Sequence, residues 1–332
     1  MKIMVFDVPA ESGGALSILN EYYENAVNQK NKNIEWIFVV SKPRLESREN
    51  VKILRYPWIK KSWFHRLYFD YFIAHKLVKK YSADKVLSLQ NLTIPRVKGI
   101  NQTLYVHQSL PFVDYRFKFI DDKKLWVYQN IIGKGIINSI KKADNIIVQT
   151  EWMKEKCLEM IKVDKEKIEV RPPQVNIEPK KFYNANSESR RTFFYPAGSG
   201  YYKNHRVIVD ACEELLKEAT IDFHVIFTLK GDETDHITSL YSKTVDLGLP
   251  ISFIGQISRE EVFEYYTKSI LVFPSYIETF GLPMLEAKLH KGMILASDCS
   301  FSREILDDYE NALFFNPFNS VELKNLMFGK IK

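Results

Sequence analysis

Two acids, Glu278 and Glu286, flank a Gly281–Leu282–Pro283 turn in the stretch YIETFGLPMLEA, directly after the apolar run SILVFPS. That run reads as a buried strand, so YIETFG is the loop leaving its carboxyl end. Pro283 suits the first turn of a helix, where its missing N–H costs nothing. Glu278 is then expected on the loop and Glu286 about one turn into the helix, with the amides of the first helical turn between them as an anion site. A carboxylate accepts two hydrogen bonds and suits a vicinal diol, as the ribose-binding acid of dinucleotide folds does. Two glutamates at this distance also arise by chance, and Glu286 alone fits a capping or surface role. Set between a strand, a glycine turn and a helix, however, amides for a phosphate with an acid on each side for hydroxyls match a nucleotide sugar.

The elements that must hold such a site follow from the hydrophobic pattern. Short β-branched runs, KIMVFDV, IEWIFVV, DKVLSL, QTLYVH and NIIVQT, then RTFFYPA, DFHVIFT, ISFIG, ILVFPS and MILAS, alternate with amphipathic stretches. The helical candidates include Ala15 to Gln29, His65 to Tyr81, Lys123 to Lys142, Val207 to Glu218 and Arg259 to Lys268. Alternation of this kind implies βαβ units and parallel sheets covered on both faces. It pauses once, between IEVRPPQVN and RRTFFYPAG, where Pro172, Pro173 and Pro179 precede the polar run NANSESRR. The expected organisation is an α/β pair of doubly wound, Rossmann-like domains facing across a cleft: 1–172, a linker at 173–190, and 191–332. Ligands of such sheets bind beyond the carboxyl ends of the strands, where strand order reverses.

Composition bounds the function. The chain has 332 residues, 45% of them hydrophobic and 27% charged, enough for two cores. No apolar run approaches the roughly 20 residues of a bilayer span, and Asp7 and Pro9 interrupt the apolar start before a signal-peptide core can form. Cys157, Cys212 and Cys299 are scattered without metal-ligand spacing and fit free thiols in a reducing cytoplasm. A net charge of +6 suits phosphorylated ligands or an anionic membrane. The absence of any zinc-finger, helix-turn-helix or RNP-type signature argues against nucleic acid.

The segment ETFGLPMLEA, with the following HKGMILASD strand, resembles the Glu-x7-Glu signature of the retaining GT-B glycosyltransferases, specifically glycosyltransferase family 4, also called glycosyl transferases group 1. The likeness extends over nearly the whole chain through few specific motifs, and implies that 1–172 is the acceptor-side domain and 191–332 the nucleotide-sugar-binding one. It implies that Glu278 contacts the transferred sugar and Glu286 the ribose, with Thr279, Phe280, Gly281 and Leu282 lining sugar and phosphates. Lys203, in SGYYKNH after RTFFYPAG, matches the family lysine on the diphosphate. The usual arginine a few residues earlier is missing, since Ala197, Gly198 and Ser199 stand there, which leaves Ser199 and nearby amides as hydrogen-bond donors. In the first domain, Gly13 and Gly14 match the Gly-Gly loop that lies beside diphosphate and acceptor, and His107 the histidine near the donor sugar. Catalytic roles are thus implied for His107, Glu278 and Lys203. Lys154 and Arg171 read as solvated charges, and Arg303 and Glu304 as structural.

The resemblance implies transfer of a sugar, with retention, from a nucleoside diphosphate sugar to a glycan or lipid-linked acceptor in cell-surface polysaccharide biosynthesis. No separate cofactor is implied, and no metal, since no Asp-x-Asp triplet occurs. It also implies a closing helix, returning to the first domain, that these residues do not include. Competing readings are a sugar-nucleotide epimerase of the same fold, which lacks the ETFGLPMLE loop, and a non-catalytic sugar-nucleotide or glycan-binding subunit. A nicotinamide oxidoreductase is disfavoured because no G-x-G-x-x-G follows a strand. Between Tyr56 and Tyr81, Trp58, Trp63, Phe64, Tyr68, Phe69, Tyr71 and Phe72 are interleaved with lysines. That suits peripheral contact with an anionic membrane at the inner face of the plasma membrane; a helix with its aromatics packed inward and its charges solvated suits the same pattern.

Overall fold

A computed structural model describes residues 1–31, 33–120, 122–175, 177–218 and 221–332. The chain divides into two compact units, Met1–Gln174 and Val175–Lys332. In the first, β1 (Lys2–Asp7), β2 (Glu35–Val40), β3 (Val51–Arg55), β4 (Lys85–Ser88), β5 (Asn101–Val106), β6 (Asn145–Val148) and β7 (Ile168–Val170) form one parallel sheet in the order β3-β2-β1-β4-β5-β6-β7. In the second, β8 (Thr192–Tyr195), β9 (His224–Phe227), β10 (Ile251–Phe253), β11 (Ile270–Phe273), β12 (Ile294–Ser297) and β13 (Ala312–Phe315) follow the order β10-β9-β8-β11-β12-β13. Both sheets therefore wind outward from their first strand and then reverse, at β1/β4 and at β8/β11. This is the doubly wound arrangement, with a switch point of the kind that binds ligands in each unit.

The strand sequences explain the double cover. Met4, Val5 and Phe6 are all fully buried although successive side chains point to opposite faces. Val5 joins Phe38 and Leu87 in a core with Ile18, Leu19 and Tyr22 of the helix Gly13–Val27. Met4 and Phe6 join Ile37 and Val86 in a second core with Phe69, Leu77 and Val78. In the second unit Phe193, Phe194, Tyr195, Phe227 and Phe273 are buried, and Phe194 stacks on Tyr265 at 4.5 Å.

Two details differ from the sequence pattern. Most of 173–190 is docked onto the second unit, the amides of Tyr183 and Asn184 donating to the carbonyls of His290 at 2.8 Å and Thr267 at 3.2 Å. Asn176, within this expected linker, lies outside the described residues. In addition, Trp63–Tyr68 continues through a π-helical turn, Phe69–Ile73, into Ala74–Lys80, and Lys123–Val127 continues through Tyr128–Ile132 into Gly133–Lys142. Each π turn carries a buried polar side chain. Asp70 accepts from Arg66 Nε at 2.6 Å. Gln129 accepts from the Phe117 amide at 3.0 Å and donates to the carbonyls of Leu110 at 3.1 Å and Tyr115 at 2.7 Å.

Candidate functional site

At the β8/β11 switch point the residues leaving both strands are joined. The chain after β8 passes through Ser199 and Gly200 into a short 3₁₀ turn, Tyr201–Lys203, and then into the helix His205–Glu218. Tyr195, the last residue of β8, donates through its hydroxyl to the Lys203 carbonyl at 2.8 Å. The Tyr202 carbonyl accepts from the Tyr276 amide at 3.2 Å and from Ser275 Oγ at 3.3 Å. Asn204, in the left-handed region at φ +60, donates through Nδ2 to the Pro274 carbonyl at 3.3 Å and the Pro317 carbonyl at 2.6 Å. Ser297, ending β12, donates to the Ser275 carbonyl at 2.5 Å. The loops after β8, β11, β12 and β13 thus form one hydrogen-bonded platform.

On that platform Lys203 Nζ meets Glu278 Oε1 at 2.5 Å, two charges that the sequence separates by 75 positions. The side chains are 22% and 16% exposed, so the pair is largely withdrawn from water while open to a ligand. Burial pulls the Lys203 ammonium down, but Glu278, helped by Tyr202, outweighs it and holds the lysine above its ordinary value. Lys203 stays cationic. Beneath it, buried His205 lies against Tyr195 at 4.8 Å and edge-on to Phe227 at 5.0 Å, with neither ring nitrogen hydrogen-bonded. Burial, with the charges of Lys203 and His236, pushes this imidazole down to about 3, so it is neutral at physiological pH. Nothing in the sequence marks this residue beyond its place two positions after Lys203.

Glu286 lies in the helix Leu282–Leu289, as its spacing suggests, but it is buried and already partnered. Arg259 Nη2 donates to its Oε1 at 3.1 Å and the Tyr266 hydroxyl to its Oε2 at 3.2 Å. Burial raises its carboxyl, against the opposing pull of Arg259, Tyr266 and His290. Arg259 begins the helix Arg259–Lys268; its place in the sequence suggests no more than a helix start, yet it supplies a cation beside the acid that the resemblance gives to the ribose. The first helical turn offers fewer amides than the sequence suggests, because Pro283 has no N–H and the Met284 amide is bonded to the Gly281 carbonyl at 3.0 Å. The turn itself demands glycine. Gly281 sits at φ +92, and a Cβ there would lie 2.6 Å from Met284 Cε and 3.6 Å from Phe273 Cζ. Gly281→Ala should cost about 1–2 kcal/mol of stability, chiefly from the backbone, and should shrink the thermal shift produced by a bound nucleotide. An undiminished ligand shift would detach the turn from the binding site. Thr279 and Phe280 complete the loop, Phe280 buried and Thr279 half-buried. Ser199 is half-buried on the facing loop.

The remaining candidates lie in the first unit. Gly13, at φ +61, and Gly14 open the helix Gly13–Val27, and an added Cβ at either would meet nothing within 4 Å. His107, half-buried just past β5, has Nε2 2.9 Å from the Leu89 carbonyl, its amide donating to Asn91 Oδ1 at 2.7 Å; burial lowers its pKa, against the Leu89 bond. Both Leu89 and Asn91 follow β4, so His107 is tied to the switch point of its own sheet. Asp7, which interrupts the apolar start of the chain, is the last residue of β1. It is 1% exposed with neither carboxylate oxygen hydrogen-bonded. Burial raises it to about 8, against the weaker pull of the Ala10 amide, Arg66 and Lys60. Arg171 is bound to Glu169 at 2.7 Å and to the Tyr22 hydroxyl at 2.9 Å, and Lys154 pairs with Glu151 at 3.6 Å, so neither is a merely solvated charge. Arg303 pairs with Asp298 at 2.7 Å and lies over the Phe314 ring at 3.8 Å, a structural setting. Among the described residues no three His, Cys, Asp or Glu side chains converge as a metal site, and no helix is long and apolar enough to cross a membrane.

These features define the class of fold: two doubly wound sheets of the GT-B type, the second carrying a glycosyl transferases group 1 match over residues 176–327. Among individual proteins, the chain is 29% identical over 253 residues to the O-antigen chain mannosyltransferase RfbU of Salmonella typhimurium, an alignment spanning 75% of this chain and 65% of that protein. Among solved structures it superposes on HepE of Anabaena, determined with UDP and glucose, with a TM-score of 0.69 at 14% identity, covering 100% of this chain and 90% of that one. The lipopolysaccharide outer core galactosyltransferase WaaB in its apo form gives a TM-score of 0.68 at 17% identity, covering 100% and 92%. Sucrose-phosphate synthase from Thermosynechococcus elongatus gives 0.72 at 15% identity, covering 99% and 89%.

Proposed function

We propose that this protein is a retaining, metal-independent glycosyltransferase that moves a sugar from a nucleoside diphosphate sugar to a glycan or lipid-linked acceptor of a cell-surface polysaccharide. The observation that carries the reading is the Lys203–Glu278 pair on the β8/β11 platform beside the Gly281 turn. On this reading Lys203 meets the departing diphosphate and Glu278 the sugar hydroxyls, as the family resemblance implies. RfbU, a mannosyltransferase of the O-antigen chain, and WaaB, a galactosyltransferase of the lipopolysaccharide outer core, point to the same kind of product.

Charge that develops on the departing phosphate is met by Lys203, by the amides of the glycine loop and by Ser199, in a partly dry site where such contacts count for more than in water. Glu278 orients the sugar and Glu286, with Arg259, holds the ribose. The acceptor attacks from the face that the phosphate leaves, and the phosphate takes its proton, so no protein base is required there. For His107 and the Gly13–Gly14 loop the family resemblance implies roles beside the donor sugar and the diphosphate.

A thermal-shift panel of nucleoside diphosphate sugars identifies the donor, since a ligand at 100 times its Kd stabilises by roughly 2.7 kcal/mol. NMR of the first-formed product then gives the stereochemistry. An α-linked donor should yield an α-glycoside, at a rate unchanged by chelator. A β-glycoside would overturn retention, and binding without turnover would favour the non-catalytic subunit.

A further inference from the structure

The first unit gathers large apolar side chains onto the surface of two helices. Trp63, Phe64, Leu67, Tyr68, Tyr71 and Phe72 are 60%, 84%, 50%, 55%, 47% and 48% exposed. They form two i, i+4 rows, Trp63–Leu67–Tyr71 and Phe64–Tyr68–Phe72, so they share one helix face. Phe69, Ala74, Leu77 and Val78 of the same continuous helix are buried in the core. The sequence pattern allowed all these aromatics to pack inward. The structure packs Phe69 and leaves its neighbours out.

A second segment extends the face. Trp63 contacts the Tyr128 ring at 6.5 Å, bringing in residues 115–134, where Phe119, Ile120 and Ile131 are 49%, 91% and 58% exposed. The polar side chain of the second π turn, Gln129, bonds both ends of the loop between Leu110 and Phe117 and so fixes how this segment is presented. Residues 57–80 carry six lysines and arginines against one aspartate, and residues 115–134 five against two. Their net charges of +5 and +3 together come to +8, more than the +6 of the whole chain.

We propose that this two-helix face of the first unit docks onto an anionic lipid bilayer, its aromatics at the headgroup boundary and its lysines on acidic headgroups. Charge and composition select that occupant. Aromatics take the interfacial level while long lysines reach past them to the headgroups. Protein–protein interfaces are instead depleted in lysine. Two copies of the face would bring like charges together. The inference goes beyond the transfer reaction and stands on the surface itself.

The test is flotation with vesicles of phosphatidylcholine alone and of phosphatidylcholine with phosphatidylglycerol. The full chain should float with the acidic vesicles at low salt and at least tenfold less at high salt, where screening is strong, and should not float with neutral ones. Trp63→Ser with Phe64→Ser, and separately Lys123→Glu with Lys124→Glu, should each reduce acidic-vesicle binding at least tenfold without lowering Tm, since all four side chains are exposed. Absent or salt-independent flotation would overturn the proposal, as would variants that float like the parent. Lipid-free self-association abolished by the same substitutions would reassign the face to a second copy.

Discussion

Replacing Lys203 with alanine is expected to slow donor turnover about 100- to 1,000-fold, the usual effect of deleting a group that stabilises charge only in the transition state. Affinity for the free nucleoside should fall far less. At 2.5 Å from Glu278 and 22% exposed, the ammonium sits where no other described side chain of the platform supplies a cation to the same acid. Its removal also leaves the Glu278 carboxylate beside the incoming diphosphate, so like charges add repulsion to the lost attraction. Lys203→Ala combined with Glu278→Ala should therefore lose less than the product of the single losses, as for other directly coupled groups. Single-turnover rates, set beside nucleotide thermal shifts on the same variants, measure both quantities. Unchanged turnover in Lys203→Ala would remove this residue from the mechanism.

A change at Asp7 should act on stability instead, and in the opposite direction. The carboxyl is 1% exposed, unpaired and raised from 3.8 to about 8. Between those pH values the folded chain holds a proton that the unfolded chain has released. Folding stability must then fall as pH rises, by about 1.4 kcal/mol per pH unit, and level off above the folded pKa. Asp7→Asn keeps the shape but cannot ionise, so this contribution vanishes. Relative to Asp7→Asn, the parent should lose on the order of 4 kcal/mol between acid and neutral pH. Urea unfolding of both proteins across that range provides the comparison. Parallel profiles would show that Asp7 ionises in the fold without penalty. The retention of so unfavourable a group at the end of β1, next to the first unit's switch point, fits a place where stability yields to function.

What the sequence made legible was local. The helix Arg259–Lys268 coincides with its periodic stretch, and the strand, glycine turn and proline-started helix around Glu278 and Glu286 follow from SILVFPSYIETFGLPMLEA because each step rests on neighbouring residues. The doubly wound pattern was legible because strands covered on both faces need continuous apolar runs. The π turns were not, since an extra residue per turn leaves an aromatic-rich stretch looking like an ordinary helix. Long-range pairing was equally hidden. Nothing near Glu286 announces Arg259, and an aspartate after MVF looks like any strand-end acid until its neighbours exclude water from it.

The double hydrogen bond of Asn204 bears on how the second unit moves. Because one side-chain amide holds the loops after β11 and β13 to its own after β8, none of the three can swing out alone without breaking a bond that also restrains another. Opening for nucleotide exchange should therefore be a single cooperative event, with backbone amides around Lys203, Tyr276 and Asn204 exchanging deuterium at a common rate. Release of the spent nucleotide would then be timed by this shared unlocking.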